Sequence, residues 1–314
     1  MTTLLRIRKK VRRLTSTPDT IQLPDADIDD YIDTFYENDL PQHLQLFTLH
    51  KTYIFYTEPN EDQYTLPVNT WTSVGPPIYM AGYQSEFDIN RDSFFQKYPI
   101  LNYDENTIAG NGTSGPYSFT LSNVPVLKRQ VTISAIDSNG DTLVLTDDGA
   151  GNLTLDGDTT VRGTINYVSG AVAITDWSNT IPSTTTMNAQ TVPYVASRPR
   201  AALFYDNMFT LRPVPDKAYR IELDAYRKPS QLLNADTDEP EIQQWWEYIA
   251  YGAAKKVLAD RGDQDTLQFI EPLMQEQKEL ILHRTIIQQT PERTPTIYSD
   301  QAGAAGGDFY RGWF

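Results

Sequence analysis

Hydrophobic residues near the start of the chain recur at helical spacing in two consecutive segments. The first set is Leu4, Ile7, Val11 and Leu14. The second set, in "LPDADIDDYIDTFYENDLP", repeats at i, i+3, i+4, i+7 and i+8, and consists of Ile28, Tyr31, Ile32, Phe35 and Tyr36. Side chains spaced in this way share one face of a helix, so both segments are predicted to be amphipathic helices. Pro41 is expected to close the second helix.

Two further helices are predicted near the other end. "DTDEPEIQQWWEYIAYGAAKKVLADRGD" carries a broad apolar stripe that includes Trp245, Trp246 and Ile249, and Gly262 is expected to end it. A last long helix is predicted from about 264 to 289, where Pro272 is expected to kink or split it. The apolar residues of this last helix are Phe269, Ile270, Leu273, Met274, Leu280 and Ile281.

The segments between these helices alternate in the manner of strands. "KTYIFYTE", "DQYTLPV" and "SVGPPIYMAGY" predict short strands, and "INRDSFFQKYP" predicts a helix that ends before Pro99. Further on, "RAALFYDNMFTLRPVPDKAYRIELDAYRKPSQL" predicts three strands. The turns expected between them are Asp206-Asn207 and Pro215-Asp216.

From about residue 110, Gly, Ser, Thr and Asn become frequent and helical periodicity disappears. A β-meander is predicted for "RQVTISAIDSNGDTLVLTDDGAGNLTLDGDTTVRGTINYVSGAVAITDW". Its expected turns are Asn139-Gly140, Asp148-Gly149 and Ser169-Gly170, the last forming a two-residue hairpin loop.

These elements predict an α+β protein: a helical bundle with a small antiparallel sheet, plus an inserted all-β domain of sandwich or barrel type. The core is predicted to be discontinuous, formed by residues 1–114 and 193–300. The inserted domain is predicted to be 115–192, and a flexible C-terminal docking tail 301–314.

Composition narrows the class of protein. The chain has 314 residues, which suits about two domains. Its hydrophobic content of 39% and mean hydropathy of −0.47 are those of an ordinary soluble protein. No apolar run approaches the roughly 20 residues of a spanning helix, and the basic N-terminus lacks the apolar stretch of a signal peptide. There are no cysteines, so we expect synthesis in a reducing cytoplasm.

Charge is unevenly distributed. The formal net charge is −15, which argues against tight wrapping around nucleic acid. A basic block nevertheless lies near the start and consists of Arg6, Arg8, Lys9, Lys10, Arg12 and Arg13. Contact with DNA or an acidic partner is one interpretation of this block. A solvated helix face, or contact with an acidic face of a neighbouring subunit, is favoured over it.

Motifs for metals and nucleotides fail on inspection. An EF-hand loop counted from Asp25 places Asp30 and Tyr36 where a Gly and a Glu are required. "GNGTSG" at 110–115 matches a dinucleotide fingerprint, but a Pro and a strand follow instead of a helix, so it is predicted to be a loop. We expect surface or packing roles for the three histidines, His43, His50 and His283. The spacing of His43 and His50 would place them on one face if both lay in a helix, but without a third ligand this is a weak indication of a metal site. No metal and no cofactor are predicted.

A hydrolase using paired carboxylates is an alternative function for the inserted domain. Its acidic residues lie in or beside turns: Asp137, Asp141, Asp147, Asp148, Asp156 and Asp158. Asp is favoured in turns for backbone reasons. We therefore predict no catalytic residues and expect that the protein is not an enzyme.

The last segment, "TIYSDQAGAAGGDFYRGWF", combines a Gly/Ala stretch with large aromatic rings. Glycine-rich chain is flexible, and aromatic residues dominate interface hot spots. The segment is therefore predicted to dock on a partner, although folding back on its own core is the alternative. The docking residues are Phe309, Tyr310, Arg311, Trp313 and Phe314.

Two segments resemble head-to-tail connector (adaptor, or neck) proteins of tailed bacteriophages. They are "RRLTSTPDTIQLPDADIDDYIDTFYENDLPQHL" and "FYDNMFTLRPVPDKAYRIELDAYRKPSQLLNADTDEPEIQQWWEYIAYGAAKKVLADRGD". Separately, "GTINYVSGAVAITDW" resembles a hairpin that recurs in β-domains of phage tail and baseplate proteins. The insertion departs from the simple adaptor.

The resemblance implies a structural virion protein of the neck, made in the host cytoplasm. It implies a ring, usually of twelve copies, below the portal protein and above a tail, nozzle or stopper protein, with no membrane partner. DNA passes through the lumen without sequence-specific binding. The tail residues are expected to dock on the portal, and the ring and bundle packing residues to be Ile28, Tyr31, Ile32, Phe35, Trp245, Trp246 and Ile249. The alternative is another phage tail or decoration module whose β insertion contacts a host or capsid surface.

Overall fold

The computed structural model describes residues 3–44, 46–67, 69–229 and 235–289. Its helices are α1 (Leu4–Leu14), α2 (Asp25–Asp33), α3 (Leu40–His43), α4 (Arg91–Lys97), α5 (Trp246–Arg261) and α6 (Gln264–Gln289). A π-helix, Thr34–Asp39, joins α2 to α3 without a break, and short 3-10 turns precede the first strand and α5.

The fifteen described strands lie between residues 50 and 227. The first eight are β1 (His50–Tyr56), β2 (Gln63–Thr65), β3 (Trp71–Met80), β4 (Tyr83–Asp88), β5 (Tyr103–Ala109), β6 (Tyr117–Thr120), β7 (Thr132–Ile136) and β8 (Thr142–Asp147). The others are β9 (Asn152–Leu155), β10 (Val161–Ile165), β11 (Ala171–Ile174), β12 (Thr186–Thr191), β13 (Ala201–Tyr205), β14 (Met208–Arg212) and β15 (Arg220–Arg227).

Two compact units are distinguished by their internal contacts. One comprises residues 1–51, 69–73 and 225–314, and within its described part it contains α1, α2, α3, α5 and α6. We call it the helical unit. The other comprises 52–68 and 74–224 and contains α4 and the greater part of both sheets. The domain boundaries expected from the sequence stay a prediction.

The first sheet has seven strands among the described residues, in the order β1-β15-β3-β4-β13-β14-β2. Two tight hairpins, β3–β4 and β13–β14, provide its local pairs. The turn of the second hairpin is Asp206-Asn207, as predicted, with φ values of 52° and 56°, and Asp and Asn tolerate this left-handed conformation better than most residues. β13 runs parallel to β4, with Ala202 opposite Phe87, so the sheet is mixed.

The second sheet has eight described strands, in the order β5-β12-β7-β8-β9-β10-β11-β6. Strands β7 to β11 follow one another as neighbours, which confirms the predicted meander. The edge strands β5 and β6 also contact each other, so the sheet nearly closes on itself. Its core includes the fully buried Trp177.

The predicted fold class is wrong. Fifteen strands in two large sheets dominate the described residues, whereas the sequence predicted a helical bundle with a small antiparallel sheet beside an inserted domain. Single strands such as "DQYTLPV" were recognised, but their partners lie far away in the chain. Gln63 of β2, for example, pairs with Thr210 of β14. Periodicity reports a strand and its buried face, not how many strands join it.

Most of the predicted helices are confirmed, but three local predictions, two in helices and one in a hairpin, need correction. Pro41 lies directly after the π-helix, in the first turn of α3, and does not end the helical stretch, which continues to His43. Pro272 lies inside an unbroken α6. The last hairpin of the meander has a longer loop than predicted, because β10 ends at Ile165 and β11 begins at Ala171.

Candidate interaction surfaces

The basic face of α1 is partly neutralised within the chain. The Arg8 guanidinium donates to both carboxylate oxygens of Asp29, at 2.5 and 2.6 Å, and also binds Asp236. The hydrogen bond to Asp29 raises the pKa of Arg8 above its ordinary value. Only 11% of the Arg8 side chain is exposed. This arrangement is a two-pronged, partly buried ion pair, which is stronger than a surface pair.

Arg12 organises the loop that joins α1 to α2. Its guanidinium donates to the Asp25 carboxylate at 2.6 Å and to the carbonyl oxygens of Leu23 and Asp19 at 2.8 and 3.1 Å. Each of these acceptors lies in the loop or in the first turn of α2. Arg12 therefore acts as a structural cation, and this role was not evident from the sequence.

Two more cations of the block face α5. The Arg6 guanidinium lies 4.0 Å from the centre of the Trp246 ring. Lys10 lies 3.8 Å from Glu247 and 5.2 Å from the centre of the Tyr251 ring. Cation–π contacts and an ion pair thus bind α1 to α5. The basic block is used mainly for internal packing, which the charge pattern alone did not predict.

Lys9 and Arg13 differ from these four cations. Both are exposed, and neither has an ion-pair partner among the described residues. They line an open cavity of about 480 Å³ together with Arg12, Ser16 and Pro18. Because Lys9 and Arg13 are four residues apart on one helix face, they leave a small cationic surface at the outer side of α1.

The predicted packing residues come together where α2 and its π-helical extension meet α5. Four of them are buried in one cluster, Ile28, Ile32, Phe35 and Ile249, and the other three pack against it, Tyr31, Trp245 and Trp246. Phe35 contacts the Tyr248 ring edge-on, with centroids 5.4 Å apart. A Cβ placed on Gly252 would lie 2.3 Å from the Phe35 ring. This close approach of the two helices requires a glycine at position 252. The predicted role of the seven packing residues in forming a ring stays a prediction.

Polar contacts reinforce the same junction. The Tyr31 hydroxyl donates to the Asp260 carboxylate at 2.6 Å, and this hydrogen bond raises the pKa of Tyr31. Lys256 pairs with Asp39 at 2.8 Å. Three aspartates of the α2 region, Asp25, Asp29 and Asp39, thus pair with cations of the same unit.

The outer face of α6 carries an apolar surface. Its large side chains are exposed: Phe269 at 78%, Leu273 at 46% and Leu280 at 55%. Ile270 and Ile281 face the helical core instead. The apolar residues expected in this helix therefore lie on two faces. The exposed residues 269, 273 and 280 share one helix face. Residues 270, 274 and 281, each one position later, share the face that packs on the core.

The turn aspartates of the eight-stranded sheet bind their own turns. The Asp137 carboxylate accepts from the backbone N–H of Asp141 at 2.9 Å and of Asn139 at 2.8 Å, and from the Asn179 amide at 2.7 Å. These hydrogen bonds, chiefly that from Asp141, lower the pKa of Asp137. A carboxylate held ionised in this way is a structural acceptor, whereas a general acid at neutral pH requires a raised pKa.

The neighbouring turns show the same pattern. Asp148 accepts from the side chain of Asn152 at 2.8 Å, which lowers its pKa most. Asp158 accepts from the N–H and hydroxyl of Thr160, and its pKa is also lowered. The Asp147 carboxylate accepts a hydrogen bond from the Tyr167 hydroxyl at 2.9 Å. These contacts account for the aspartates as turn residues, and they supply no support for the hydrolase alternative.

Charged groups in the sheet-containing unit are also paired. A cavity of about 260 Å³ there is lined by Asp62, Arg91, Lys128 and Arg212 among others. Arg212 pairs with Asp62 at 2.6 Å, and Lys128 pairs with Glu61 at 2.6 Å. Two of the cations that line this cavity, Lys128 and Arg212, are therefore paired within the unit.

The remaining motifs are placed as follows. "GNGTSG" is a loop between β5 and β6, as predicted, and Cβ atoms on Gly110 and Gly115 would collide with backbone oxygens 2.2 Å away. His43 ends α3 whereas His50 begins β1, so the two do not share a helix. The docking residues Phe309, Tyr310, Arg311, Trp313 and Phe314 lie outside the described residues.

The described part of the chain contains neither a metal-binding group nor a membrane-spanning helix. No group of three or more His, Asp or Glu side chains there is placed to hold a metal ion. None of its helices combines the length and apolar character that membrane crossing requires.

Comparison with models of known protein families and with curated proteins found no match to the chain.

Proposed function

We propose that the protein is a structural component of a tailed-bacteriophage virion that forms a ring below the portal and joins the capsid to the tail. In this role it lines the DNA channel, carries no catalytic site and needs no cofactor. Its partners are the portal protein, a tail, nozzle or stopper protein, and further copies of itself, with twelve as the expected number.

One observation supports this proposal above the others. The two segments that resemble connector proteins are more than 150 residues apart, yet their helices α2 and α5 pack into one cluster. The junction includes Phe35 against Gly252 and the hydrogen bond from Tyr31 to Asp260. The helical parts of the two segments therefore belong to one structural unit, whereas residues 204–224 of the second segment belong to the other unit.

Charge is consistent with the same role. A channel through which DNA slides must not bind phosphates tightly, and a chain of net charge −15 is on balance repelled by them. Four of the six cations in the basic block contact groups of the helical unit, which leaves Lys9 and Arg13. Sequence-independent attraction to DNA is correspondingly weak.

Electron microscopy of the purified protein with the portal of its phage tests the proposal. We expect a coaxial ring on the portal that neither component forms alone. Truncation after Asp300 removes the aromatic tail and is expected to abolish portal binding without unfolding the protein. Absence of a ring, together with binding of the isolated 115–192 region to a host or capsid surface, would favour a tail or decoration module instead.

A further inference from the structure

The helical unit exposes an apolar face on α6 and a cationic face on α1. The first consists of Phe269, Leu273 and Leu280. The second consists of Leu5, Lys9 and Arg13, which share one face because they are spaced four residues apart. Large apolar side chains grouped on a surface mark sites of association more often than isolated ones do.

The α6 surface also carries negative charge. Asp265 and Glu276 lie on the same face as the apolar residues, at helical spacing from Phe269 and Leu280, and Glu279 lies beside them. All three are exposed, and none has an ion-pair partner among the described residues. The outer face of α6 therefore combines apolar and acidic side chains.

The α1 surface is complementary to it. Lys9 and Arg13 are exposed cations without an ion-pair partner in the described chain, and Leu5 beside them is 38% exposed. An acidic and apolar helix face matches a basic and partly apolar one, and opposite potentials favour association and fix its register.

The two surfaces lie on different helices of the helical unit. α1 and α6 both pack on α5, whereas α1 and α6 barely touch each other. A molecule with complementary surfaces in two different places associates head to tail, and such contacts form rings when the rotation between copies closes. A face-to-face dimer, by contrast, needs a surface that is complementary to itself.

We propose that the outer face of α6 in one copy packs on the outer face of α1 in the next copy of this chain. Phe269, Leu273 and Leu280 are covered by this contact. Asp265, Glu276 and Glu279 face Lys9 and Arg13 across it. This inference rests on the proposed ring and assigns its subunit interface.

Charge reversal tests the contact. One variant carries Lys9→Glu and Arg13→Glu, and another carries Glu276→Lys and Glu279→Lys. Each alone places like charges across every interface, so we expect at least tenfold weaker self-association in sedimentation velocity and no complete ring on the portal. Lys51→Glu, an exposed cation outside both surfaces, is the matched control and is expected to assemble normally. Circular dichroism verifies that each variant is folded.

Mixing the two reversed variants gives the sharper result. In a head-to-tail ring they alternate, so that every acidic α1 meets a basic α6 and every basic α1 meets an acidic α6. We expect the mixture to recover assembly although neither variant assembles alone. Reversal of both surfaces in one chain is expected to recover it as well.

The apolar part is tested by Phe269→Asp, with Phe269→Leu as its control. The aspartate is expected to prevent ring formation and the leucine to permit it. If the unmodified protein forms rings and both charge-reversed variants form them equally well, the α6–α1 contact is wrong while the connector function stands. If the unmodified protein forms no ring on the portal but self-associates in a way that the reversals abolish, the contact stands and the connector function is wrong. No ring and no self-association would overturn both.

Discussion

The helical unit and the eight-stranded sheet manage their charged groups in opposite ways. In the sheet, carboxylates such as Asp137 and Asp148 accept mainly from the N–H groups of their own turns, and Asp137 also accepts from the Asn179 amide. In the helical unit, the principal pairs join distant parts of the chain, as Arg8 joins Asp29 and Asp236. The sheet is thus stabilised locally at its turns, whereas the helices are fastened to one another.

The outer surfaces differ as well. The sheet places its largest aromatic residue, Trp177, in its core with no exposed surface. The helical unit leaves Phe269 largely exposed, together with acidic and basic side chains that have no partner among the described residues. Unpartnered apolar and charged faces suit assembly. This difference leads us to place the subunit contact on the helices.

The largest effect is expected in the sheet core. Trp177→Ala removes a fully buried ring and is expected to lower the free energy of unfolding by about 3–5 kcal/mol, measured by urea denaturation. Trp177→Phe is the control, because it keeps an aromatic ring and removes an indole N–H that has no hydrogen-bond partner. Its cost is expected to be clearly smaller. Equal losses of stability for both variants would show that an aromatic ring at position 177 does not by itself stabilise the core.

A smaller but still substantial effect is expected at the long-range ion pair. Arg8→Ala leaves Asp29 without its partner, at a cost of about 1.5–3 kcal/mol in the free energy of unfolding. Lys9→Ala, one position along the same helix, removes an exposed and unpaired cation and is expected to change stability by less than about 0.5 kcal/mol. If the two variants are equally stable, the ion pair contributes nothing and the contrast with the sheet is lost.

The close contact in the helical core ranks third. Gly252→Ala improves helix propensity by about 1 kcal/mol, but its methyl group meets the Phe35 ring, and overpacking costs about 1–3 kcal/mol. We expect a net loss of stability in thermal denaturation. Combining it with Phe35→Leu is expected to recover part of the loss, because the smaller side chain makes room. A stabilised Gly252→Ala variant would show that the helices move apart without cost.

The sequence predicted what depends on neighbouring residues. The spacing of Leu4, Ile7 and Val11 predicted α1 and its buried face correctly, and Gly262, with its φ of 71°, ends α5 as expected. Aspartates in turns were likewise interpreted correctly, because their hydrogen bonds are local.

What the sequence did not predict depends on distant partners. The first sheet is large and mixed because strands distant in the chain pair with each other. β13 pairs in parallel with β4, and β2 pairs with β14. The partners of Arg8 and Arg12 were equally hidden, since a charge pattern shows which cations exist and not which acids fold against them. The α6 surface was missed because two apolar faces one residue apart look like a single stripe.

Acid is expected to act on the sheet through its turns. The pKa values of Asp137, Asp148 and Asp158 are lowered in the folded protein from an ordinary 3.8. Groups of this kind stabilise the fold fully above the ordinary pKa, and the contribution is lost as the pH falls through the lowered pKa. We therefore expect stability in the eight-stranded sheet to decline below about pH 4, where aspartates ordinarily begin to take up protons.

Hydrogen exchange followed by mass spectrometry resolves this by region. Protection of β7 and β8, which flank the Asp137 turn, is expected to fall between pH 4 and pH 2.5 after correction for the intrinsic exchange rate. In Asp137→Asn the turn no longer contains this titrating carboxylate. The variant is expected to be less protected at pH 7 and to depend less on pH than the unmodified protein. An unchanged acid dependence in the variant would mean that the Asp137 turn does not set the acid sensitivity of these strands, and that the local stabilisation distinguishing the sheet from the helices lies elsewhere.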